Sequence, residues 1–81
     1  MEKKERILIV DDEQITRKAL RRILGNRKYE IITAANGEEA LDILGKEQFS
    51  LVLTDMVMGS VDGLDILSKT KKIDPDTEVI I

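Results

Sequence analysis

The chain has 81 residues, of which 42% are hydrophobic and 36% are charged, and its formal net charge is −3. This length allows one domain at most. The sequence contains no cysteine and no histidine, which excludes disulfides, thiolate and histidine metal sites, and the Ser–His–Asp and Cys–His nucleophile arrangements. The negative charge argues against a basic nucleic-acid interface over the whole domain, so direct contact with nucleic acid is not expected.

Neither the start of the chain nor its basic residues point to a membrane or an export route. The first six residues, MEKKER, lack the apolar run of a signal peptide, and no stretch approaches transmembrane length. A cytoplasmic location is therefore expected. Two basic clusters favour solvated helix faces over a docking surface for an acidic partner. They are Arg17, Lys18, Arg21 and Arg22, and Lys69, Lys71 and Lys72.

The first half of the chain predicts a strand, a helix and a second strand. Ile7–Val10 is a short continuous apolar run, typical of a strand buried on both faces. Gly25 with Asn26 is a helix stop signal, and Tyr29–Ala34 predicts a strand whose polar flanks suit a sheet edge. The helix before the stop signal carries apolar residues at helical spacing: Ile15, Ala19, Leu20, Ile23 and Leu24.

The second half repeats this alternation. Asn36 is predicted to cap a second helix, Leu51–Thr54 is a third strand, and Thr77–Ile81 begins a fourth. A third helix is predicted to start at Asp62 and to close at Asp74, just before a proline. The residues expected to face inward are Ala40, Leu41 and Leu44 in the second helix, and Leu64, Leu67 and Ile73 in the third. Strands that alternate with helices predict a parallel sheet with helices packed on its faces.

Carboxylates follow two of the predicted strands directly. Asp11 and Asp12 come after the first strand, and Asp55 comes after the third. If those strands are neighbours, which spacing alone does not determine, the three side chains converge outside the carboxyl edge of the sheet. Close carboxylates repel one another, and a bound divalent cation relieves the repulsion. Mg²⁺ suits such a site because it prefers oxygen ligands and shares phosphate oxygens. The pattern predicts a magnesium site that acts with a phosphoryl group; Ca²⁺ also accepts oxygen ligands, but the pocket offers it few.

A capping role competes with metal binding at some of these acids. Asp12 precedes a helix, and both roles remain open for it. For Asp62 the cap is favoured, and a turn accounts for Asp74 and Asp76 around the proline.

The segments ILIVDDE, NGEEALDIL and LVLTDMVM with DGLDIL resemble the receiver domain of bacterial two-component response regulators, from Arg6 to Ile81. The resemblance implies an α/β fold, a flavodoxin-like doubly wound parallel sheet. The four strands of this chain would lie in the order 2-1-3-4, with the first and third adjacent. Seven elements are expected, in the order β-α-β-α-β-α-β.

The resemblance also implies the roles of the site residues. Asp55 would be the phosphoacceptor, receiving a phosphoryl group from a sensor histidine kinase or a phosphotransfer protein. Asp12 and Asp55 would bind Mg²⁺ through their side chains, Asp11 mainly through a water molecule, and Val57 through its backbone carbonyl. An output domain would belong to the parent protein, and the chain would not be an enzyme in its own right.

The sequence departs from the family in three places. Thr70 occupies a helix position that is often apolar in the family. Gly59 stands where the family commonly has proline, and the sequence stops inside the fourth strand. We therefore expect residues 1–81 to be a truncated receiver domain that lacks the family's fourth helix, fifth strand and fifth helix. The Ser or Thr and the Lys that contact the phosphoryl group would be missing with them. An uncovered sheet face and an open fourth strand then predict self-association.

Two other functions compete with the phosphoacceptor. One is an interaction or self-association module that keeps the acidic pocket without taking phosphate. The other is a magnesium-dependent phosphatase with an aspartate nucleophile. It fits less well, because such enzymes usually carry Asp-x-Asp, and Asp11 and Asp12 are adjacent.

Overall fold

The computed structural model describes residues 5–25, 28–55 and 61–81, which form four strands and three helices in alternation. No helix in these ranges is long and apolar enough to cross a membrane. The alternation confirms the predicted α/β class. The elements are β1 (Glu5–Val10), α1 (Gln14–Leu24), β2 (Tyr29–Ala34), α2 (Gly37–Leu44), β3 (Leu51–Thr54), α3 (Gly63–Ile73) and β4 (Glu78–Ile80).

The four strands form one parallel sheet in the order β2-β1-β3-β4. β1 is interior, and its Ile7 is in register with Ile31 of β2 on one side and Leu51 of β3 on the other. Because β1 and β3 are neighbours, their carboxyl ends lie side by side, as the site prediction required. The edge position predicted for β2 is also confirmed.

Helices cover both faces of the sheet, and alternate residues of the strands feed two separate apolar clusters. On one face Leu8, Val10 and Val52 pack with residues of α2 and α3. On the other, Ile7 and Ile9 pack with Leu20 and Leu24 of α1. The remaining members of the first cluster are Ala34, Ala40, Leu44, Phe49 and Ile66.

The inward stripe predicted for α3 was wrong in part. Leu64 is 56% exposed and Ile73 is 43% exposed, whereas Ile66 and Thr70 are buried. Leu64 lies on the opposite side of the helix from Ile66, and Ile73 is the last residue of the helix. The stripe is centred on Ile66 and Thr70. A count of apolar residues alone misses this phase because threonine is usually exposed, whereas the family's preference for an apolar residue at position 70 agrees with it.

Side-chain caps fix the starts of α2 and α3. Asn36 accepts a hydrogen bond from the backbone N–H of Glu39 at 2.8 Å. Asp62 accepts from the N–H of Asp65 at 3.1 Å, and the Asp65 carboxylate accepts from the N–H of Asp62 at 3.1 Å, which completes a capping box. Both predicted caps are confirmed, because each side chain accepts a hydrogen bond from a free N–H group at the start of its helix.

One side of the sheet is only partly covered. α1 packs on β1 and β2, and Leu53 of β3 is half-buried beside it. Ile80 of β4 is 56% exposed, and the following Ile81 is 48% exposed. Among the described residues, the apolar surface over β3 and β4 on this face is therefore uncovered.

Thr70 offers a test of core packing. Its side chain is 1% exposed, and its hydroxyl has no hydrogen-bond partner among the residues that the structure describes. Since an unpaired buried hydroxyl costs free energy, we expect Thr70→Val to raise the free energy of unfolding by about 1 kcal/mol, measured by urea denaturation.

Thr77 is the matched control for this substitution. It is 3% exposed, but its hydroxyl donates to the Phe49 carbonyl at 2.6 Å. Thr77→Val should lower the free energy of unfolding by about 1 to 2 kcal/mol, because the carbonyl loses its partner. Equal effects of the two substitutions would contradict this account of Thr70.

Candidate functional site

The ends of β1 and β3 bring two acidic residues to the same edge of the sheet. The Asp55 N–H donates to the Val10 carbonyl at 3.1 Å, and the Asp11 N–H donates to the Ala34 carbonyl at 3.1 Å. Each bond continues the strand pairing past the end of the strand. The side chains of Asp11 and Asp55 therefore start from backbones that are held next to each other.

The carboxylates of Asp11, Asp12 and Asp55 converge at this edge. Each offers an oxygen, and these oxygens all lie within 4.8 Å of one another. Ligand oxygens at roughly 2.1 Å from Mg²⁺ are about 3 to 4.2 Å apart in an octahedron. The observed separation is close to this range, so small side-chain rotations or a bridging water suffice. The structure thus brings together all three predicted carboxylates.

The three acids differ in their surroundings. Asp11 is half-buried, and its Oδ1 accepts a hydrogen bond from the N–H of Glu13 at 2.9 Å. Asp12 and Asp55 are exposed, and the described residues donate no hydrogen bond and form no ion pair to their carboxylates. Two of the three side chains are therefore open to a cation or a phosphoryl group.

The capping interpretation of Asp12 is wrong. The residue at the N-cap of α1 is Glu13, and its side chain makes no capping hydrogen bond. The free N–H of Glu13 is instead satisfied by Asp11. Asp12 lies one residue too early to cap the helix, which leaves its carboxylate available.

Sequence reasoning missed one residue at this site. Arg17 was assigned to a solvated helix face, yet its Nη1 donates to the backbone carbonyl of Asp11 at 2.7 Å. The contact joins a helix side chain to a main-chain atom six residues earlier, and no local sequence motif predicts such a contact. The predictions made for Val57 and Gly59 concern residues outside the described ranges.

The comparison with protein families agrees with this geometry. The family model of the response regulator receiver domain matches residues 7–81. The chain belongs to this family. Receiver domains of two-component response regulators are phosphoacceptor signalling modules, and the flavodoxin-like fold expected from the resemblance is confirmed.

Individual relatives are similar over nearly all of this receiver chain. Sporulation initiation phosphotransferase F of Bacillus subtilis (strain 168) is 46% identical over 77 residues, which cover 95% of this chain and 62% of the relative. The chain spans less than two thirds of the curated relatives it matches, between 29% and 63% of their lengths.

Two solved structures of similar proteins contain ligands. Response regulator TrrA of Thermotoga maritima, in complex with Mg²⁺-BeF, superposes with a TM-score of 0.86 at 39% identity, over 95% of this chain and 67% of that one. A response regulator of Burkholderia pseudomallei contains a phosphorylated aspartic acid, a calcium ion and citrate. It superposes with a TM-score of 0.83 at 29% identity, over 93% of this chain and 44% of that one.

The acidic cluster should couple Mg²⁺ to stability. We expect saturating Mg²⁺ to stabilise the chain against urea, by about 1.4 kcal/mol at ten times the dissociation constant. Asp12→Asn should lose most of this gain. In EDTA the same substitution should stabilise the chain, because it removes one of three close like charges. An unchanged Mg²⁺ effect in Asp12→Asn would contradict the assignment of Asp12 as a ligand.

Proposed function

We propose that this receiver chain accepts a phosphoryl group on Asp55 from a sensor histidine kinase or a phosphotransfer protein, with Mg²⁺ as cofactor. The observation that carries the proposal is the convergence of Asp11, Asp12 and Asp55, with carboxylate oxygens within 4.8 Å. Asp55 stands at the end of an interior strand and is exposed. An incoming phosphoryl donor can therefore reach its carboxylate without displacing a described protein partner.

The donor set fits Mg²⁺ better than Ca²⁺. Three carboxylates are fewer than the six to eight oxygen ligands that Ca²⁺ takes, whereas Mg²⁺ usually keeps several waters. In this proposal Asp12 and Asp55 bind the ion through their side chains, and Asp11 acts mainly through a water. Val57 would add its backbone carbonyl, although it lies outside the described residues. When bound, Mg²⁺ offsets the negative charge of the pocket and of the phosphoryl oxygens.

The residues of the chain supply the nucleophile and its orientation. A carboxylate oxygen of Asp55 attacks the phosphorus of a phosphohistidine, an O–P bond forms, and the N–P bond breaks with its electron pair left on the imidazole nitrogen. The bond from the Asp55 N–H to Val10 fixes the backbone from which the nucleophile extends. The Thr54 hydroxyl, which donates to the Asp55 carbonyl at 3.1 Å, holds the other side of the same peptide segment.

The partners in this proposal are identified by the reaction. The donor is a phosphohistidine protein, and the response is read by an output domain of the parent protein. Support comes from the receiver family itself, whose members act between these two kinds of protein. The similar Burkholderia protein with a phosphorylated aspartic acid supports an aspartate as the acceptor.

Phosphorylation by a small donor tests the assignment of Asp55. Incubation with acetyl phosphate and Mg²⁺ should add the mass of one phosphoryl group, detected by intact-mass spectrometry. The gain should vanish in Asp55→Asn and fall at least about ten-fold without Mg²⁺, because the metal offsets charge in the transition state.

Asp62→Asn is the control for this experiment. Asp62 is another acid at a helix start, and asparagine can still cap α3. The mass gain should be retained in this variant. A gain that persists in Asp55→Asn would place the acceptor elsewhere and refute the proposal.

We also propose a second candidate function, self-association through β4. The observation that favours it is the exposure of Ile80 in β4 and of the following Ile81, beside the half-buried Leu53. β4 is the outermost of the described strands on this side of the sheet. An exposed apolar edge strand offers unpaired backbone groups to another copy of the chain. Pairing of two β4 strands would satisfy these backbone groups in both copies.

Sedimentation velocity tests this candidate. At tens of micromolar protein we expect a dimer or larger species, and Ile80→Lys should shift the population to monomer because a lysine on an edge strand opposes pairing with another strand. Lys69→Glu, which reverses the charge at an exposed position of α3, should leave the association unchanged. A wild-type chain that is folded and monomeric at this concentration would exclude the idea.

A further inference from the structure

We propose that Arg17 is a positioning residue for the acidic pocket, and that it holds the turn carrying Asp11 and Asp12 in the arrangement that binds a cation. This inference rests on the metal site of the proposed function. It concerns a residue on α1, outside the set of carboxylates.

The contacts of Arg17 bracket the turn between β1 and α1. Its Nη1 donates to the Asp11 carbonyl at 2.7 Å in a partly buried position. Its backbone N–H donates to the Glu13 carbonyl at 3.1 Å. Arg17 therefore contacts both ends of the segment 11–13, with Asp12 between them.

The turn depends on these contacts because the start of α1 lacks a side-chain cap. Asp11 is held at three points. Its N–H donates to Ala34, its Oδ1 accepts from Glu13, and its carbonyl accepts from Arg17. Only the last of these comes from a side chain on another element. Its loss would free the peptide plane between Asp11 and Asp12 and disorder both carboxylates.

The charge of Arg17 points to positioning rather than to neutralisation. Within the described residues its guanidinium forms no ion pair with Asp11, Asp12 or Asp55; it binds a neutral carbonyl. A counter-ion for the acids would compete with a metal, so its removal would strengthen cation binding. Removal of a positioning residue would weaken it. The two roles therefore predict opposite changes in cation affinity when Arg17 is replaced.

Arg21 provides a matched control one helical turn away. Its Nη2 donates to the carbonyl of Ile31 in β2 at 3.2 Å, so it also joins α1 to a main-chain oxygen. The two arginines line the same small groove with Gln14, Lys18 and Thr33. Ile31 is three residues from the end of β2, so the contact of Arg21 lies farther from the acids.

The test is a Mg²⁺ titration followed by backbone amide NMR shifts in wild type, Arg17→Met, Arg17→Lys and Arg21→Met. We expect Arg17→Met to weaken Mg²⁺ binding about ten-fold, since residues that orient metal ligands typically contribute 10- to 100-fold. Arg17→Lys should recover most of the affinity because it keeps a donor. Arg21→Met should remain within about two-fold of wild type, or bind slightly more tightly, since the hydrogen bond and the positive charge that it removes are both distant from the acids.

Hydrogen exchange supplies a second readout that does not need Mg²⁺. The Glu13 amide should exchange faster in Arg17→Met, with β1 amides unchanged, and it should keep its wild-type rate in Arg21→Met. If Arg17→Met does not fold, Arg17→Leu replaces it, because leucine also lacks a donor and is a good helix former. Unchanged or tighter Mg²⁺ binding without Arg17, or no recovery by lysine, would overturn the proposal.

Asp12→Asn separates this proposal from the one on which it depends. If Asp12→Asn weakens binding and Arg17→Met does not, the metal site stands and the role of Arg17 is refuted. If Asp12→Asn leaves binding unchanged, the metal site itself fails. Each result therefore identifies which inference is wrong.

Discussion

The parallel pairing of β1 with β3 is the constraint on which the rest of the structure depends. It continues past the strands through the bond from the Asp55 N–H to the Val10 carbonyl, at 3.1 Å. That bond places residues 45 positions apart in sequence at the same edge, where their side chains meet. Successive side chains along these two strands point to opposite faces of the sheet, so the same strands contribute to both apolar clusters. The position of the site and the packing of the helices thus share one origin.

Charged side chains are paired at the amino ends of the strands, whereas the three acids at the carboxyl ends are unpaired within the described residues. At the amino edge, Arg6 forms ion pairs with Glu30, at 3.2 Å, and with Glu47, and it lies over the ring of Phe49 at 5.0 Å from its centroid. The hydrogen bond that Arg6 donates to Glu47 raises the pKa of Arg6 above its ordinary value. At the carboxyl edge, three carboxylates converge with no ion pair among the described residues. Fold stability alone does not favour such an arrangement, whereas binding a cation does.

Much of the fold followed from local patterns. The alternation of apolar runs and helical stripes predicted the seven elements, and the polar flanks of Tyr29–Ala34 predicted an edge strand. Where prediction failed, a single residue was ambiguous. Apolar residues alone centred the inward stripe of α3 on Leu64, Leu67 and Ile73, whereas the buried residues are Ile66 and Thr70. Asp12 precedes a helix as a cap would, but α1 begins one residue later than a cap at that position requires.

The sequence by itself singled out Asp11, Asp12 and Asp55 as candidate ligands, because these carboxylates follow apolar runs typical of buried strands. The tertiary structure alone decided that they meet, since strand order is set by packing between distant segments and has no local signal. It also placed the side chain of Arg17 against the backbone of Asp11. A guanidinium on a helix face is indistinguishable from its solvated neighbours until the fold brings a main-chain carbonyl within 2.7 Å of it.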